Sequence, residues 1–274
     1  MVTKTELQQE AKIENSARQK RWEKAQSSEL VFWQERAQSP IAEDSPVGLA
    51  QKAYGLISEL NIATEDILQS QLNILDLGCG PMGFNVGLHY LAKTFSLPCP
   101  SLTNLDPLIH EYRDIYPDFR GITKADVTSI EELATTDKFD YIVLENVLDH
   151  IAEPKPIVRQ LKERLREGGS LLITCHTIPE ILRPTEPILN VIDPPHPHHF
   201  THQYLEGMLE EFGYSLSTSF AINLRESHPN FSLSTVAKQR TLRSLKRYSA
   251  TWILNTSVIV ATAARSEKIG RSIK

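Results

Sequence analysis

Asp76, Gly78, Gly80 and Gly83 stand together in the stretch NILDLGCGPMGFNVG, residues 73–87. Glycines after a strand let the backbone pass close to a ligand, and the helix start beyond them presents free N–H groups. The spacing is that of a dinucleotide turn, G-x-G-x-x-G. The charges suit a different guest. Asp76 precedes Gly78 by two residues, where a carboxylate would repel a pyrophosphate and attract a cationic amino group. Pro81 removes an N–H donor that a pyrophosphate would use. S-adenosylmethionine carries an ammonium, a sulfonium and no phosphate, so it fits this turn better than NAD does. Gly83 reads as a helix-start residue. Asp106 ends the next apolar stretch and can accept both hydroxyls of a ribose, in either cofactor. Asp126, in KADV, can accept from an adenine amino group or cap a short helix.

The elements that must position these residues follow from periodicity. From residue 72 short apolar strands alternate with helices: LNILDL, FNVGLHYLAKTF, SLTNLD, LIHEYRDIY, GITKAD and YIVL. Then come the helix PIVRQLKERLREGG, closed by a glycine pair, and a fifth strand, SLLITCH. Such alternation predicts a parallel sheet with helices on both faces and a site along the strand C-termini. HQYLEGMLEEFGYSL reads as a helix, with Thr201 as its N-cap, followed by a sixth strand, SLSTSFAINL. A basic helix, STVAKQRTLRSLKRYSA, and a seventh strand, NTSVIVATAA, complete the pattern. Residues 3–37 are polar, helix-prone and free of Gly and Pro, with Trp22, Leu30, Phe32 and Trp33 available to pin them to a core. Ser45-Pro46 reads as an N-cap with proline at the first helical position. Leu49, Ala53, Leu56, Ile57 and Leu60 follow at helical spacing.

ILDLGCGPMG, NLDPL, KADV, FDYIVLENVLDHIAEP and LREGGSLLIT resemble the successive motifs of class I S-adenosylmethionine-dependent methyltransferases of the small-molecule type. The likeness runs over roughly residues 70–176, in order, and HPHHFTHQYLEGMLEEFGY extends it. It implies an α/β, Rossmann-like, seven-stranded and mostly parallel sheet. The last strand would be antiparallel, with helices on both faces and an N-terminal helical extension. It also implies a cofactor set: Asp76, Gly78, Cys79 and Gly80 toward the methionine part, Asp106 and Pro107 at the ribose, Asp126 and Val127 flanking the adenine. Glu145 and Asn146 would line the sulfonium end. The implied layout is an extension or lid over residues 1–45 and a methyltransferase domain over 46–265. Acceptor-side insertions fall at 177–200 and 226–250, and a flexible tail at 266–274.

Methyl transfer needs an aligned nucleophile and, for a hydroxyl, a base. His150 in VLDHI, His176 in TCHT and His199 in DPPHPHHFTH are the candidates, each with packing as its alternative role. A metal set of His198, His202 and Asp193 is disfavoured, because a helix starting after Thr201 leaves His198 outside it; no metal is expected. The run KQRTLRSLKR, 238–247, could meet an anionic substrate or RNA through Lys238, Arg240 and Arg243, but it lacks the aromatic interleaving of a stacking surface.

The net charge of −5 offers no overall field for nucleic acid. No apolar run spans a membrane, and no signal-peptide pattern opens the chain. Three cysteines fit a reducing cytoplasm. The expected partner is a small-molecule acceptor methylated at a hydroxyl or carboxyl oxygen, without nucleic acid or membrane. A methyltransferase acting on RNA or protein, or a non-catalytic cofactor-binding module, is the alternative.

Overall fold

The computed structural model describes residues 4–185, 189, 196–223 and 255–263, with side chains from Gln19 onward except Arg21 and Asn223. The basic run at 238–247, Asp193 and the terminal ten residues lie outside these. The helices are α1 (Lys4–Gln38), α2 (Pro46–Glu59), α3 (Thr64–Ile67), α4 (Phe84–Phe95), α5 (Ile109–Ile115), α6 (Pro154–Arg164) and α7 (His202–Glu211). The strands are β1 (Asn73–Leu77), β2 (Ser101–Leu105), β3 (Ala125–Val127), β4 (Phe139–Glu145), β5 (Leu165–Thr177), β6 (Tyr214–Asn223) and β7 (Asn255–Ala263).

They form one sheet in the order β3-β2-β1-β4-β5-β7-β6. All neighbours are parallel except β7, which runs antiparallel to both β5 and β6. This is the expected Rossmann-like sheet with a reversed last strand. The chain builds outward from β1 to β3 and then returns to β4, so β1 and β4 flank the point where the winding reverses. Ligands of open α/β sheets bind at the strand C-termini there.

Strand alternation explains the two-sided core. Ile74, Val143, Leu172 and Val258 pack on one face with α2 and α4, through Ala53, Ile57, Leu88 and Leu91. Leu75, Leu144, Ile173 and Ile259 face the other side with α6 and α7, through Val158, Leu161, Leu205 and Leu209. Successive side chains on a strand point to opposite faces, so strands covered on both sides read as continuous apolar runs. Both predicted caps are present. Ser45 Oγ accepts from Gly48 N at 3.1 Å with Pro46 at the first position of α2, and Thr201 Oγ1 accepts from Tyr204 N at 3.3 Å.

The glycine pair does not close α6. That helix ends at Arg164, because apolar Leu165 already enters the sheet opposite Phe139. Gly168, at φ +79°, and Gly169 instead form the irregularity in the β4–β5 register, where a Cβ on Gly169 would stand 3.0 Å from Phe139 O.

The N-terminal helix is anchored at its C-terminal end. Arg36 makes a two-pronged contact with Asp44 at 2.7 and 3.0 Å. Tyr116 donates to Trp33 O at 3.2 Å, and Trp33 packs against the cluster of Met82, Val86 and Phe119. Phe32 is 39% exposed and packs edge-on against Trp33 without entering that cluster itself.

Candidate active site

The turn after β1 is fixed by the end of β2. Gly78 N donates to Leu105 O at 2.7 Å, and Gly80 N donates to the Asp106 carboxylate at 2.9 Å. The other Asp106 oxygen accepts from Leu108 N at 2.9 Å. Gly78 and Gly80 both sit at positive φ, +68° and +55°. At Gly78 a Cβ would stand 2.0 Å from Val147 Cγ2, whereas at Gly80 it would meet open space. The first glycine is therefore demanded by packing and conformation together, the second by conformation alone.

Asp76 is sealed beneath this turn at 1% exposure, and Asn85 N donates to it at 3.0 Å. Burial pushes its carboxyl up to about 7, against that hydrogen bond, and the nearby Glu145 adds to the rise. Gly83 matters more than a helix start requires. A Cβ there would stand 2.5 Å from Asp76 Oδ2 and 2.3 Å from Cys79 O, so its bareness makes room for the carboxylate to reach α4. Asp106 is likewise buried and pushed up to about 6, chiefly by desolvation, with the neighbouring Glu29 opposing its ionisation.

Above the turn lies a cavity of about 550 Å³, the size of a small-molecule cofactor site. Gly78, Asp106, Pro107, Asn146 and Val147 line its base. Trp22, Gln26 and Glu29 of α1 form one wall, and Thr128, Ser129 and Ile130 another. Asn146 holds a left-handed backbone, φ +51°, and its Oδ1 is buried without a hydrogen-bond partner among the described residues. A strained non-glycine residue with an orphaned acceptor in a cleft marks a place where a ligand donor belongs. Among the described residues that line the cavity there is no Lys or Arg, while Glu29, Asp106, Glu131 and Glu153 all do. That charge pattern, with the orphaned Asn146 acceptor, fits a cationic guest such as S-adenosylmethionine and opposes a pyrophosphate.

Other predicted residues stand elsewhere. The Asp126 carboxylate is engaged by Arg113 at 2.9 and 3.2 Å, Asn104 at 3.0 Å and Thr123 at 2.9 Å, which hold it below the usual carboxylate range against the effect of burial. Arg113 is 4% exposed and also donates to Pro81 O. Asp126 thus braces the turn, and the residues after it, Thr128 to Ile130, reach the cavity. Val127 packs into the core, with its carbonyl accepting from Asp106 N. Cys79 is buried behind the turn. Glu145 pairs with Lys52 of α2 at 3.1 Å.

The three histidines do not converge. His150 lines the cavity from the turn Leu148–His150. His199 lines an adjoining cavity of about 380 Å³ with Arg183, Phe200 and Tyr204; Ala152, Glu153 and Pro156 border both. His176 does not end β5, which continues to Thr177. It pairs with Thr256 and, by alternation, lies on the face of Leu172, opposite Cys175. Neither cavity is lined by His176. His198 and His202, the disfavoured metal pair, serve separate contacts. His198 stacks on Phe200 and reaches Ala152 O at 3.0 Å, while His202 bridges Ser257 and Ser219 at 3.0 and 3.2 Å.

Residues 49–219, well over half of the chain, match the model of a family described as methyltransferase domain. The chain belongs to the class I S-adenosylmethionine-dependent methyltransferases. This methyltransferase is 29% identical over 112 residues to the tRNA U34 carboxymethyltransferase of Campylobacter concisus, over 39% of this chain and 38% of that one. It is 25% identical over 134 residues to the mitochondrial ubiquinone biosynthesis O-methyltransferase of Candida albicans, over 47% of this chain and 39% of that one. The chain thus spans about two fifths of the length of these curated relatives. In fold it is similar to phosphoethanolamine N-methyltransferase 2 of Haemonchus contortus in complex with S-adenosyl-L-methionine. There the TM-score is 0.52 at 13% identity, covering 85% of this chain and 60% of the other. The matched family region begins within α2, so the wall contributed by α1 lies outside it. No helix among the described residues is long and apolar enough to cross a membrane.

Proposed function

We propose that this methyltransferase transfers a methyl group from S-adenosylmethionine to an oxygen of a small-molecule acceptor. The observation that carries the reading is a cavity whose lining, among the described residues, is acidic and holds no Lys or Arg, and which opens beside a second cavity of acceptor size. A polyanion such as RNA would meet four carboxylates at that lining. Bound there, the cofactor supplies a methyl activated on sulfonium, which leaves a neutral thioether when a nucleophile takes it. Asp76 would stabilise the cationic end from beneath the turn, and Asp106 would accept from the ribose. Asn146 Oδ1 would gain the donor it lacks. His150 stands on the cavity wall and His199 on the adjoining one, where either can receive a hydroxyl proton.

Transfer of labelled methyl into a small-molecule extract, with mass spectrometry of the product, tests this reading. The expected product is an O-methylated small molecule. Label found only in RNA or protein would replace the acceptor assignment, and a filter assay showing tight, salt-dependent RNA binding would point the same way.

We also propose that α1 acts as a lid over the bound cofactor. Trp22→Ala should weaken cofactor binding about tenfold, roughly 1.4 kcal/mol, by removing an aromatic wall. It should leave thermal stability nearly unchanged, because Trp22 is half-buried and its wall faces the cavity. Isothermal titration with adenosylhomocysteine measures this, and unaltered affinity would reduce α1 to a structural cap.

A further inference from the structure

We propose that Asp149, His150 and His196 bind a divalent transition-metal ion, zinc being the best match, at the acceptor end of the cleft. Each residue offers one ligand atom, and the three atoms lie within 4.8 Å of one another. Ligand atoms about 2.0–2.1 Å from zinc in a tetrahedral site stand roughly 3.3 Å apart, so side-chain rotations of about 1 Å would close the set. His196 Nε2 is 3.9 Å from Asp149 Oδ2, beyond hydrogen-bond distance. The His150 and His196 rings lie beside each other with centroids 4.5 Å apart and planes tilted by 59°, a contact that is not a stack.

A second observation points to a missing cation. Asp149 is 3% exposed, and its Oδ1 is buried with no hydrogen-bond partner among the described residues. The Cys175 thiol lies within hydrogen-bond reach of the Asp149 side chain, a weak and neutral donor that brings no compensating charge. A buried carboxylate with, among the described residues, no formal cation nearer than an imidazole at 3.9 Å is costly, and a metal ion is one of the few groups that removes that cost. The surrounding backbone holds the ligands in place. Asp149 and His150 share one tight turn, in which His150 N donates to Val147 O at 3.0 Å. His198 N donates to Asp149 O at 3.3 Å, and His198 Nε2 meets Ala152 O, which clamps the loop bearing His196 onto that turn.

Two imidazoles and one carboxylate with open positions form a catalytic type of donor set, suited to zinc, manganese or iron. His150 also lines the cofactor cavity, which places the donor set at its edge. The role in catalysis rests on the oxygen-acceptor reading above; the metal site itself does not. The ion would bind an acceptor hydroxyl and promote its ionisation, the proton passing to solvent. The oxyanion then forms the new C–O bond as the methyl–sulfur bond breaks and its electron pair remains on sulfur.

The test uses the full chain, stripped with chelator and titrated with Zn²⁺ and with Mn²⁺, with metal content measured after dialysis. The expected result is one ion per chain for the wild type. Asp149→Asn and His196→Ala should each weaken that binding at least about 30-fold, while adenosylhomocysteine affinity stays within about threefold. His196 lies on a loop outside the core, so its variant carries the test if Asp149→Asn fails to fold. Wild-type protein that retains no stoichiometric ion, or variants that bind it as tightly, would overturn the site. Full methyl transfer to a hydroxyl acceptor by stripped enzyme would leave the proposed function standing and remove the metal from it. A bound ion without any oxygen methylation would keep the site and overturn the acceptor chemistry.

Discussion

Asp76→Asn is expected to weaken cofactor binding by about 30-fold or more while making the cofactor-free protein more stable above pH 7. Truncating a charge-assisted contact in a buried site costs about 2–3 kcal/mol, which sets the affinity loss. The stability gain has the opposite origin. Burial raises the folded-state pKa of Asp76 to about 7 from an ordinary 3.8. Between about pH 4 and 7 the folded chain therefore keeps a proton that the unfolded chain has released. Stability from this group is complete below pH 4 and is lost as pH rises through 7, by an amount on the order of 4 kcal/mol. Asparagine cannot ionise, so the variant should lose this part of the pH dependence while its side-chain oxygen still accepts from Asn85 N. Thermal denaturation from pH 5 to 8 follows the one effect and calorimetric titration the other. In the wild type, pairing with a cation should drive Asp76 to ionise, so binding near pH 6.5 should release protons. Titration in buffers of different ionisation enthalpy detects that release. A variant with wild-type affinity would falsify the assignment of Asp76 to the cofactor.

Gly78→Ala should be the most damaging single methyl group in the site. It places a side chain at φ +68°, which costs about 1–2 kcal/mol, and drives it into Val147, whose branched side chain has few rotamers to retreat to. Overpacking adds about 1–3 kcal/mol, so a fall in melting temperature of roughly 5–10 °C is expected, with cofactor binding lost. Gly80→Ala has the same backbone strain without the collision, since nothing lies within 4 Å of its Cβ position. The two variants should therefore rank clearly, Gly78→Ala below Gly80→Ala in both stability and affinity. Equal effects would mean that Val147 yields and that backbone conformation alone matters at this turn.

The sheet was legible because both of its faces are covered. Strands such as NILDL and SLLIT carry uninterrupted apolar runs, and the glycine turn with Asp76 declares the site at the end of the first of them. What the sequence concealed has specific physical causes. KADV alone points Asp126 to an adenine contact or a helix cap, and nothing in it shows that Arg113 is buried beside it. That pairing depends on α5 lying against β3. The glycine pair after α6 reads as a helix stop because bulges and caps use the same residue for the same reason. SLLITCH alone ends the strand at His176, yet antiparallel pairing with β7 extends β5 to Thr177. The convergence of His196 on Asp149 and His150 leaves no spacing signature, since a 46-residue gap says nothing about contact. Gly83 reads only as a helix start because its further need arises from a carboxylate seven residues earlier.

Insertion of β7 between β5 and β6 also sets the order in which this protein can be made. The middle of the sheet's second half is the last of the described strands to be synthesised. Until Asn255–Ala263 has emerged, β5 keeps an open, strongly apolar edge and β6 has no partner to hold it. Unpaired edges of this kind are where nascent chains aggregate or recruit chaperones. Synthesis halted anywhere before Asn255 leaves the molecule without the strand that joins its two flanks, even though every residue of the glycine turn is already in place.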